Sequence, residues 1–138
     1  MKDKKIIFRS DCPISTALDI FGDKWSLLII RDLMFKDKNT YGDFLSSEEK
    51  IATNILADRL SLLEYAGIIS KHKHPDSKAK ILYKLTAKGI DLIPVLVEII
   101  EWSEKHNTVH PMAKQFAAQL RKDKQGTIAM LYKGLKPS

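Results

Sequence analysis

The segment "SKHKHPDSKAKILYKLT", which runs from Ser70 to Thr86, limits most narrowly what this chain can fold into. Two runs of strand-forming residues, "IISKHK" and "KILYKL", flank a turn that contains Pro75, Asp76 and Ser77. Such runs on either side of turn-forming residues are typical of an antiparallel β-hairpin. The sequence therefore predicts a two-stranded hairpin, and the elements around it define the fold.

A helix is predicted immediately before the hairpin, from near Ala52 to Ala66. Its core stripe consists of Leu56, Leu60 and Leu63, and Gly67 is well placed to end it in a left-handed conformation. At 100° per residue, Asn54, Asp58 and Ser61 project to the opposite side. We expect this opposite face to be free for another role.

Three shorter helical patterns come earlier in the chain, after a loose arm over residues 1–10. Pro13 can begin the first helix, which stops at Gly22, and Asp23 can cap the second, "KWSLLIIRDLMF". Thr40 can cap a short third helix, "TYGDFLSS". Short helices joined by a tight turn and followed by a hairpin predict a mainly α fold with a small β-hairpin, the winged helix-turn-helix.

The pattern after the hairpin predicts one long helix, "AKGIDLIPVLVEIIEWSEKH", capped by Thr86 and kinked at Pro94. A narrow polar stripe is expected to be exposed, at Asp91, Pro94, Glu98, Glu101 and Lys105. The broad apolar arc predicts burial against a second copy in a homodimer, through Leu92, Val95, Leu96, Ile99 and Trp102. A helix buried inside its own subunit is the alternative.

Two further short helices are predicted in the tail. The expected organisation is a winged helix-turn-helix domain with its dimerisation helix over residues 1–106, followed by a basic helical extension over residues 107–138.

Positive charge is concentrated in the hairpin and the tail. The net charge is +6, and within Ile68–Lys84 five lysines face only Asp76, a balance of +4. Residues 107–138 hold six basic residues and one acidic residue, a balance of +5. Such clustering points to a polyanionic partner, although a solvated lysine-rich surface would give the same pattern.

Several function classes find no support in the sequence. No nucleophile and base, glycine-rich loop or clustered metal ligands are visible, so we expect neither an enzyme nor a bound cofactor or metal. No apolar run is long enough to cross a membrane and no signal peptide is evident, which predicts a cytoplasmic protein. The single cysteine permits no intrachain disulfide.

Three segments in order, "CPISTALDIFGDKWSLLIIRDL", "ILADRLSLLEYAGII" and "YKLTAKGIDLIPVLVEIIEW", resemble the HxlR-type winged helix-turn-helix regulators over about residues 12–106. The resemblance implies a bacterial DNA-binding transcription factor that acts as a homodimer. In two respects the chain departs from the family pattern. Ala52 stands where a capping serine is usual, which Thr53 can replace one residue later, and residues 107–138 extend beyond the family core.

In this interpretation the helix from Ala52 reads an inverted-repeat operator in the major groove. Asn54 can pair with adenine and Asp58 can accept from cytosine, while Thr53 and Ser61 can touch phosphate or base edges. Arg59 would bond a phosphate or pair with an acid of its own chain. Phosphate contacts are further expected from the hairpin lysines Lys73, Lys78 and Lys80, and an additional one from Lys24, which opens the second helix, or from Lys50 in the turn "EEK".

Cys12 lies just before the first helix, where a thiolate is favoured. Some members of the family sense oxidants through a cysteine at this place, so Cys12 is either a sensor or a small, inert buried residue. A small-molecule effector held between the long helix and the helix of Trp25 is another open reading. The main alternative to DNA binding is a winged-helix protein-interaction module, which would leave the hairpin lysines without a partner.

Overall fold

The computed structural model describes residues 6–138 and confirms a mainly helical chain with one small hairpin. The elements in chain order are α1 (Pro13–Phe21), α2 (Ser26–Phe35), α3 (Tyr41–Leu45), α4 (Thr53–Tyr65), β1 (Ile69–His74), β2 (Ser77–Leu85), α5 (Ala87–Ile90), α6 (Ile93–His106), α7 (Pro111–Lys122) and α8 (Lys124–Gly134). Helices α3 and α4 with the hairpin form the predicted winged helix-turn-helix.

The chain packs as two compact units. One ends at Gly89 and includes Pro137 and Ser138, and the other spans Ile90–Lys136. The long helix therefore clusters with the C-terminal helices, whereas the sequence analysis grouped it with the winged domain. The division at residue 106 remains a prediction about the organisation of the chain.

The first two helices start through local chemistry that the sequence shows. Pro13 occupies the first turn of α1, and Gly22 follows its end. The Asp23 carboxylate accepts hydrogen bonds from the backbone N–H groups of Trp25 and Ser26, at 3.0 Å each. Helix α2 begins at Ser26, so Lys24 precedes the helix instead of opening it. Residues 1–5 of the predicted loose arm lie outside the described residues, and the rest is tied to α1 because Arg9 Nε donates to Asp19 at 2.6 Å.

The two helices of the helix-turn-helix begin differently. Thr40 caps α3 in a reciprocal capping box with Asp43. Helix α4 has Ala52 as its N-cap and no side-chain cap, so Thr53 is the first helical residue and does not replace the missing serine. Gly67 ends the helix with φ +77°, a conformation that glycine adopts without strain.

The core of this unit forms where α4 meets α3 and the hairpin. Leu56 and Leu63 are fully buried, and Phe44 of α3 lies with its ring centroid 6.0 Å from that of Tyr83 in β2. The strands pair antiparallel from Ile69 opposite Leu85, with an irregularity after Lys73. The base of the hairpin is thus anchored, while its turn lies in solvent.

The outer edge of β2 is partly covered. The backbone N–H of Tyr83 donates to the carbonyl of Asn39 at 2.8 Å, and the N–H of Ser138 donates to the carbonyl of Leu85 at 3.0 Å. These bonds satisfy edge groups that would otherwise be open to pairing with another strand.

The predicted long helix is two helices. Helix α5 ends at Ile90, and α6 begins at Ile93 after a turn at Asp91 and Leu92. The expectation of a continuous, kinked helix was wrong. Pro94 instead lies in the first turn of α6, where its missing N–H costs no intrahelical hydrogen bond. Thr86 does cap the segment, since its Oγ1 accepts from the N–H of Gly89.

In the second unit, helices α7 and α8 pack on α6, and their side chains pair with several of its acids. Lys124 pairs with Glu98 and lies 2.8 Å from Glu101, Arg121 pairs with Glu104 at 3.0 Å, and Tyr132 donates to Asp91 at 3.2 Å. These pairs also neutralise two of the six basic residues of the tail. Four residues of the predicted stripe, Asp91, Pro94, Glu98 and Lys105, are nevertheless exposed as expected, and only Glu101 is half-buried.

None of the helices between residues 6 and 138 is long and apolar enough to cross a membrane.

A buried carboxylate ties α2 to the turn between α3 and α4. Asp32 is 2% exposed and accepts from Ser47 Oγ at 2.6 Å and from Arg31 Nη2 at 2.8 Å. Arg31 also donates to both carboxylate oxygens of Glu49, at 2.7 and 2.9 Å. These Arg31 hydrogen bonds hold the pKa of Glu49 at about 2, against an ordinary value of 4.5.

The lowered pKa of Glu49 makes the stability of the fold depend on pH. A carboxylate whose folded pKa is depressed stabilises the protein above pH 4.5, and this contribution is lost as the pH falls from 4.5 to about 2. Because Glu49 is partly exposed, Glu49→Gln is expected to cost up to about 1 kcal/mol at pH 7. Urea unfolding from pH 7 to pH 3 should show the gap to wild type narrowing below pH 4.5. Glu48→Gln is the matched control, and a gap that stays constant with pH would contradict the assignment.

Candidate nucleic-acid interface

The N-terminal end of α4 is open to solvent. Ala52, Thr53 and Asn54 are all exposed, and no side chain caps the helix. The leucine stripe on the other side is buried, which fixes the rotation of the helix and turns Asn54 outward. Asn54 makes no side-chain hydrogen bond within residues 6–138, so both its amide donor and its acceptor are available to a ligand. Ser61, about two turns further along the same face of α4, is half-buried.

Asp58 and Arg59 pair with each other instead of projecting freely. Arg59 Nη2 lies 2.5 Å from an Asp58 carboxylate oxygen, and Arg59 Nη1 lies 3.4 Å from Asp23. Of the two alternatives for Arg59, the structure contains the pair with an acid of its own chain. The Asp58 carboxylate already accepts a hydrogen bond from Arg59. To contact a base, Asp58 would have to accept a second hydrogen bond or give up the one from Arg59.

The hairpin carries a row of exposed lysines. Lys73, Lys78 and Lys80 are all exposed along its two strands, as is Lys71. Lys71 lies 3.7 Å from Glu64, whereas Lys73 and Lys78 have no ion-pair partner in the described part of the chain. Lys80 interacts electrostatically with the carboxylate of Asp43 on α3. The hairpin therefore presents largely uncompensated positive charge beside α4, to which β1 packs.

The two other predicted lysines are also exposed. Lys24 Nζ lies 5.1 Å from the centre of the Trp25 ring, a cation–π arrangement that orients the ammonium group before α2. Lys50 ends the turn between α3 and α4 with φ +57°. Both belong to the same compact unit as α4 and the hairpin.

Tyr41 is a residue of this region that the sequence analysis missed. Its hydroxyl donates to the backbone carbonyl of Thr53 at 2.5 Å, which joins the first residue of α3 to the first residue of α4. The position of Tyr41, directly after the capping Thr40, indicates that the side chain lies at the start of α3. The sequence pattern does not show that its hydroxyl reaches the carbonyl of Thr53, twelve positions later.

The residues proposed for the dimer interface differ in how much of each side chain is exposed. Ile99 and Trp102 are 43% and 62% exposed, Leu92 and Val95 are half-buried, and Leu96 is only 6% exposed. Leu96 packs inside its own unit and therefore presents little surface to a partner, so the exposed part of the proposed contact consists of Ile99 and Trp102. Two exposed apolar residues of α1 were missed by the sequence analysis, Ile14 at 71% and Leu18 at 50% exposure.

Cys12 is exposed and occupies the N-cap position of α1. Its side chain makes no capping hydrogen bond. The exposure contradicts the interpretation of Cys12 as a buried packing residue and leaves the thiol accessible to a reagent.

Metal-binding geometry is absent from residues 6–138, where no three histidine, cysteine, aspartate or glutamate side chains converge.

Comparison with known proteins gives a consistent result. The model of the HxlR-like helix-turn-helix family matches residues 20–111. An uncharacterized HTH-type transcriptional regulator of Synechocystis sp. is 34% identical over 100 residues, which cover 70% of this chain and 73% of that protein.

Two solved structures are similar in fold and sequence. The transcriptional regulator YodB from B. subtilis in its reduced form is 30% identical, with a TM-score of 0.58 over 70% of this chain and 95% of YodB. The redox regulator HypR in its oxidized form is 28% identical, with a TM-score of 0.62 over 71% of this chain and 100% of HypR.

The lysines of the hairpin offer a direct test of the interface. Lys78→Ala combined with Lys80→Ala should weaken binding to all duplexes by the same factor, because phosphate contacts carry no sequence information. Each lost contact should flatten the slope of log K against log salt by roughly 0.9, so the slope should fall by about one to two units. Fluorescence anisotropy over a salt series measures both quantities. Lys36→Ala with Lys105→Ala is the charge-matched control, and an unchanged slope in the hairpin variant would remove these lysines from the interface.

Proposed function

Because the chain belongs to the HxlR-like helix-turn-helix family of transcriptional regulators, we propose that it binds an inverted-repeat operator in double-stranded DNA as a homodimer. One observation carries the proposal: the start of α4 is exposed and lies in the same compact unit as the hairpin, and within residues 6–138 Asn54 and most hairpin lysines have no side-chain partner. The residue roles, the dimer and the operator are part of this proposal.

In the proposed complex the hairpin supplies affinity and orientation. Lys73, Lys78 and Lys80 would meet backbone phosphates and release condensed counterions. Lys24 and Lys50 would add contacts on the other side of α4. A protein-interaction module would have no use for this charge, which is why we favour DNA as the partner.

Reading of sequence would fall to the first turns of α4. Asn54 can make the bidentate contact with adenine that its amide geometry allows, and Thr53 can reach a base edge or a phosphate. Ser61 is half-buried and so better suited to a supporting contact. Arg59, held by two acids, would orient Asp58 and would contact a phosphate only by exchanging one of these partners.

The proposed homodimer uses the apolar residues that single chains leave exposed. Ile99 and Trp102 of α6 form a strip with the half-buried Val95 and Leu92, and Trp102 lies 5.2 Å from the His106 ring. Large apolar side chains exposed in this way mark protein interfaces. In a two-fold dimer each chain buries the same residues, and the exposed Ile14 and Leu18 of α1 offer a second apolar strip.

We further propose that oxidants regulate the protein through Cys12. The thiol is exposed, and the structurally similar HypR is a redox regulator. In a homodimer two copies of Cys12 are present. Two thiols can transfer two electrons and two protons to an oxidant such as diamide, whose N=N bond becomes the N–N bond of a hydrazine, and join as an intermolecular disulfide. The cytoplasm, where the DNA is, is the compartment that this function requires.

Asn54→Ala tests base reading. The variant should bind the operator about 1–3 kcal/mol more weakly, since it loses a bidentate contact, and should bind random duplex as wild type does. The operator is first obtained by selecting duplexes from a random library with wild type, and affinities are measured at one salt concentration. Asn107→Ala, which changes an exposed asparagine at the end of α6, is the matched control. Equal losses on operator and random duplex would make Asn54 a backbone contact or a structural residue.

Cys12→Ser tests the oxidant response. Diamide should lower operator binding by wild type and produce a covalent dimer on a non-reducing gel, and dithiothreitol should reverse both effects. The serine variant should bind the operator nearly as wild type does and ignore diamide. If wild type and Cys12→Ser lose binding to the same extent, the response does not involve this thiol.

A further inference from the structure

The first turn of α4 lacks the side-chain cap that normally stabilises such a turn. Ala52 occupies the N-cap position with φ −71° and ψ 148°, the extended conformation in which serine or threonine would accept from the helix N–H groups. Without that acceptor, the terminal N–H groups have no partner within the helix and the turn can fray. Thr53 and Asn54, the residues proposed to read DNA, belong to this turn.

The bond from Tyr41 holds the uncapped turn from outside the helix. The hydroxyl donates to the carbonyl of Thr53 at 2.5 Å. Tyr41 is itself the first residue of α3, whose start is fixed because Thr40 and Asp43 form a capping box. The phenol thus projects from a well-defined backbone.

Helix α3 is in turn attached to the hairpin. Asn39, just before the cap, accepts from the N–H of Tyr83 in β2 at 2.8 Å, and Phe44 contacts the Tyr83 ring. A continuous series of contacts therefore runs from β2 through α3 and Tyr41 to Thr53. It links the element proposed to hold phosphates with the element proposed to read bases.

We propose that Tyr41 is a positioning residue that fixes the start of the reading helix relative to the hairpin. This inference rests on the proposed DNA-binding function. Loss of the hydroxyl would leave the phosphate contacts intact, because the hairpin lysines do not depend on it. It would let Asn54 and Thr53 sample several positions, so that operator binding weakens while binding to random duplex does not.

Tyr41→Phe removes only the hydroxyl. We expect operator affinity to fall about 3- to 10-fold, the effect of one net hydrogen bond, with an unchanged affinity for random duplex and an unchanged salt slope. Tyr132→Phe removes a phenol hydrogen bond to Asp91 in the other unit and serves as the control, with no effect on the ratio of operator to random binding.

Ala52→Ser supplies the decisive second variant. A serine at this extended N-cap can accept from the helix N–H groups and stabilise the same turn by a comparable amount. Added to Tyr41→Phe, it should restore most of the operator affinity. If Ala52→Ser restores only the urea midpoint of Tyr41→Phe and not its ratio of operator to random binding, the hydroxyl acts on general stability and not on the position of the helix.

Hydrogen exchange in the free protein gives a readout that needs no DNA. The N–H of Leu56 donates to the carbonyl of Ala52 at 2.9 Å, in the first hydrogen-bonded turn of α4. In Tyr41→Phe this amide should exchange about 3- to 10-fold faster, while amides of β2 keep their wild-type rates.

The outcomes separate the two proposals. If wild type does not distinguish any selected duplex from random DNA, the proposed function fails and this inference fails with it. If wild type distinguishes them and Tyr41→Phe does so equally well, only the role of Tyr41 is refuted. Equal losses of Tyr41→Phe on operator and random duplex, or no rescue by Ala52→Ser, would also refute it.

Discussion

Burial of one face of α4 is the constraint on which the proposed interface depends. Leu56 and Leu63 are fully buried and Leu60 is 2% exposed, and each such side chain contributes about 1.5–3 kcal/mol when removed from water. The exposed ion pairs of this unit are worth at most about 1 kcal/mol each. Apolar packing therefore decides the rotation of α4, and it places Asn54 roughly 160° round the helix from Leu56. Any polar role of the helix follows from that orientation.

Charge is arranged differently in the two units. In the unit with the hairpin, Arg31 pairs with Asp32 and Glu49, and Arg59 pairs with Asp58. Of the hairpin lysines, Lys71 lies near Glu64, whereas Lys73 and Lys78 have no ion-pair partner among residues 6–138. In the other unit the basic tail pairs with the acids of α6. Two basic residues of the tail, Arg121 and Lys124, thus serve packing, whereas most of the positive charge of the hairpin is available to a partner.

Local signals in the sequence predicted the elements well. Pro13, Asp23, Thr40, Gly67 and Thr86 each act as the start or stop that their chemistry indicated. The error at Pro94 arose because a proline inside an apolar helical pattern fits either a kink or a new first turn, and only the turn at Asp91 and Leu92 distinguishes them.

Side-chain partners across the fold were not predictable in the same way. Arg59 could meet a phosphate or an acid, and the choice depends on Asp23, which lies 36 positions away in the chain. The hydroxyl of Tyr41 and the burial of Leu96 likewise depend on how separate elements pack. Helical periodicity identifies the apolar arc of α6, but it does not tell which part of that arc the tail covers.

The central claim is that two chains read one inverted repeat through two reading helices at a fixed distance. Affinity of wild type for the selected operator should be compared with its affinity for a duplex that has five base pairs inserted between the half-sites. A two-fold dimer places its reading helices about 34 Å apart or a multiple of that, so half a helical turn of extra DNA moves one half-site to the wrong side of the duplex. We expect the insertion to weaken binding as strongly as scrambling one half-site does. Equal affinity for the original and the extended duplex would contradict it.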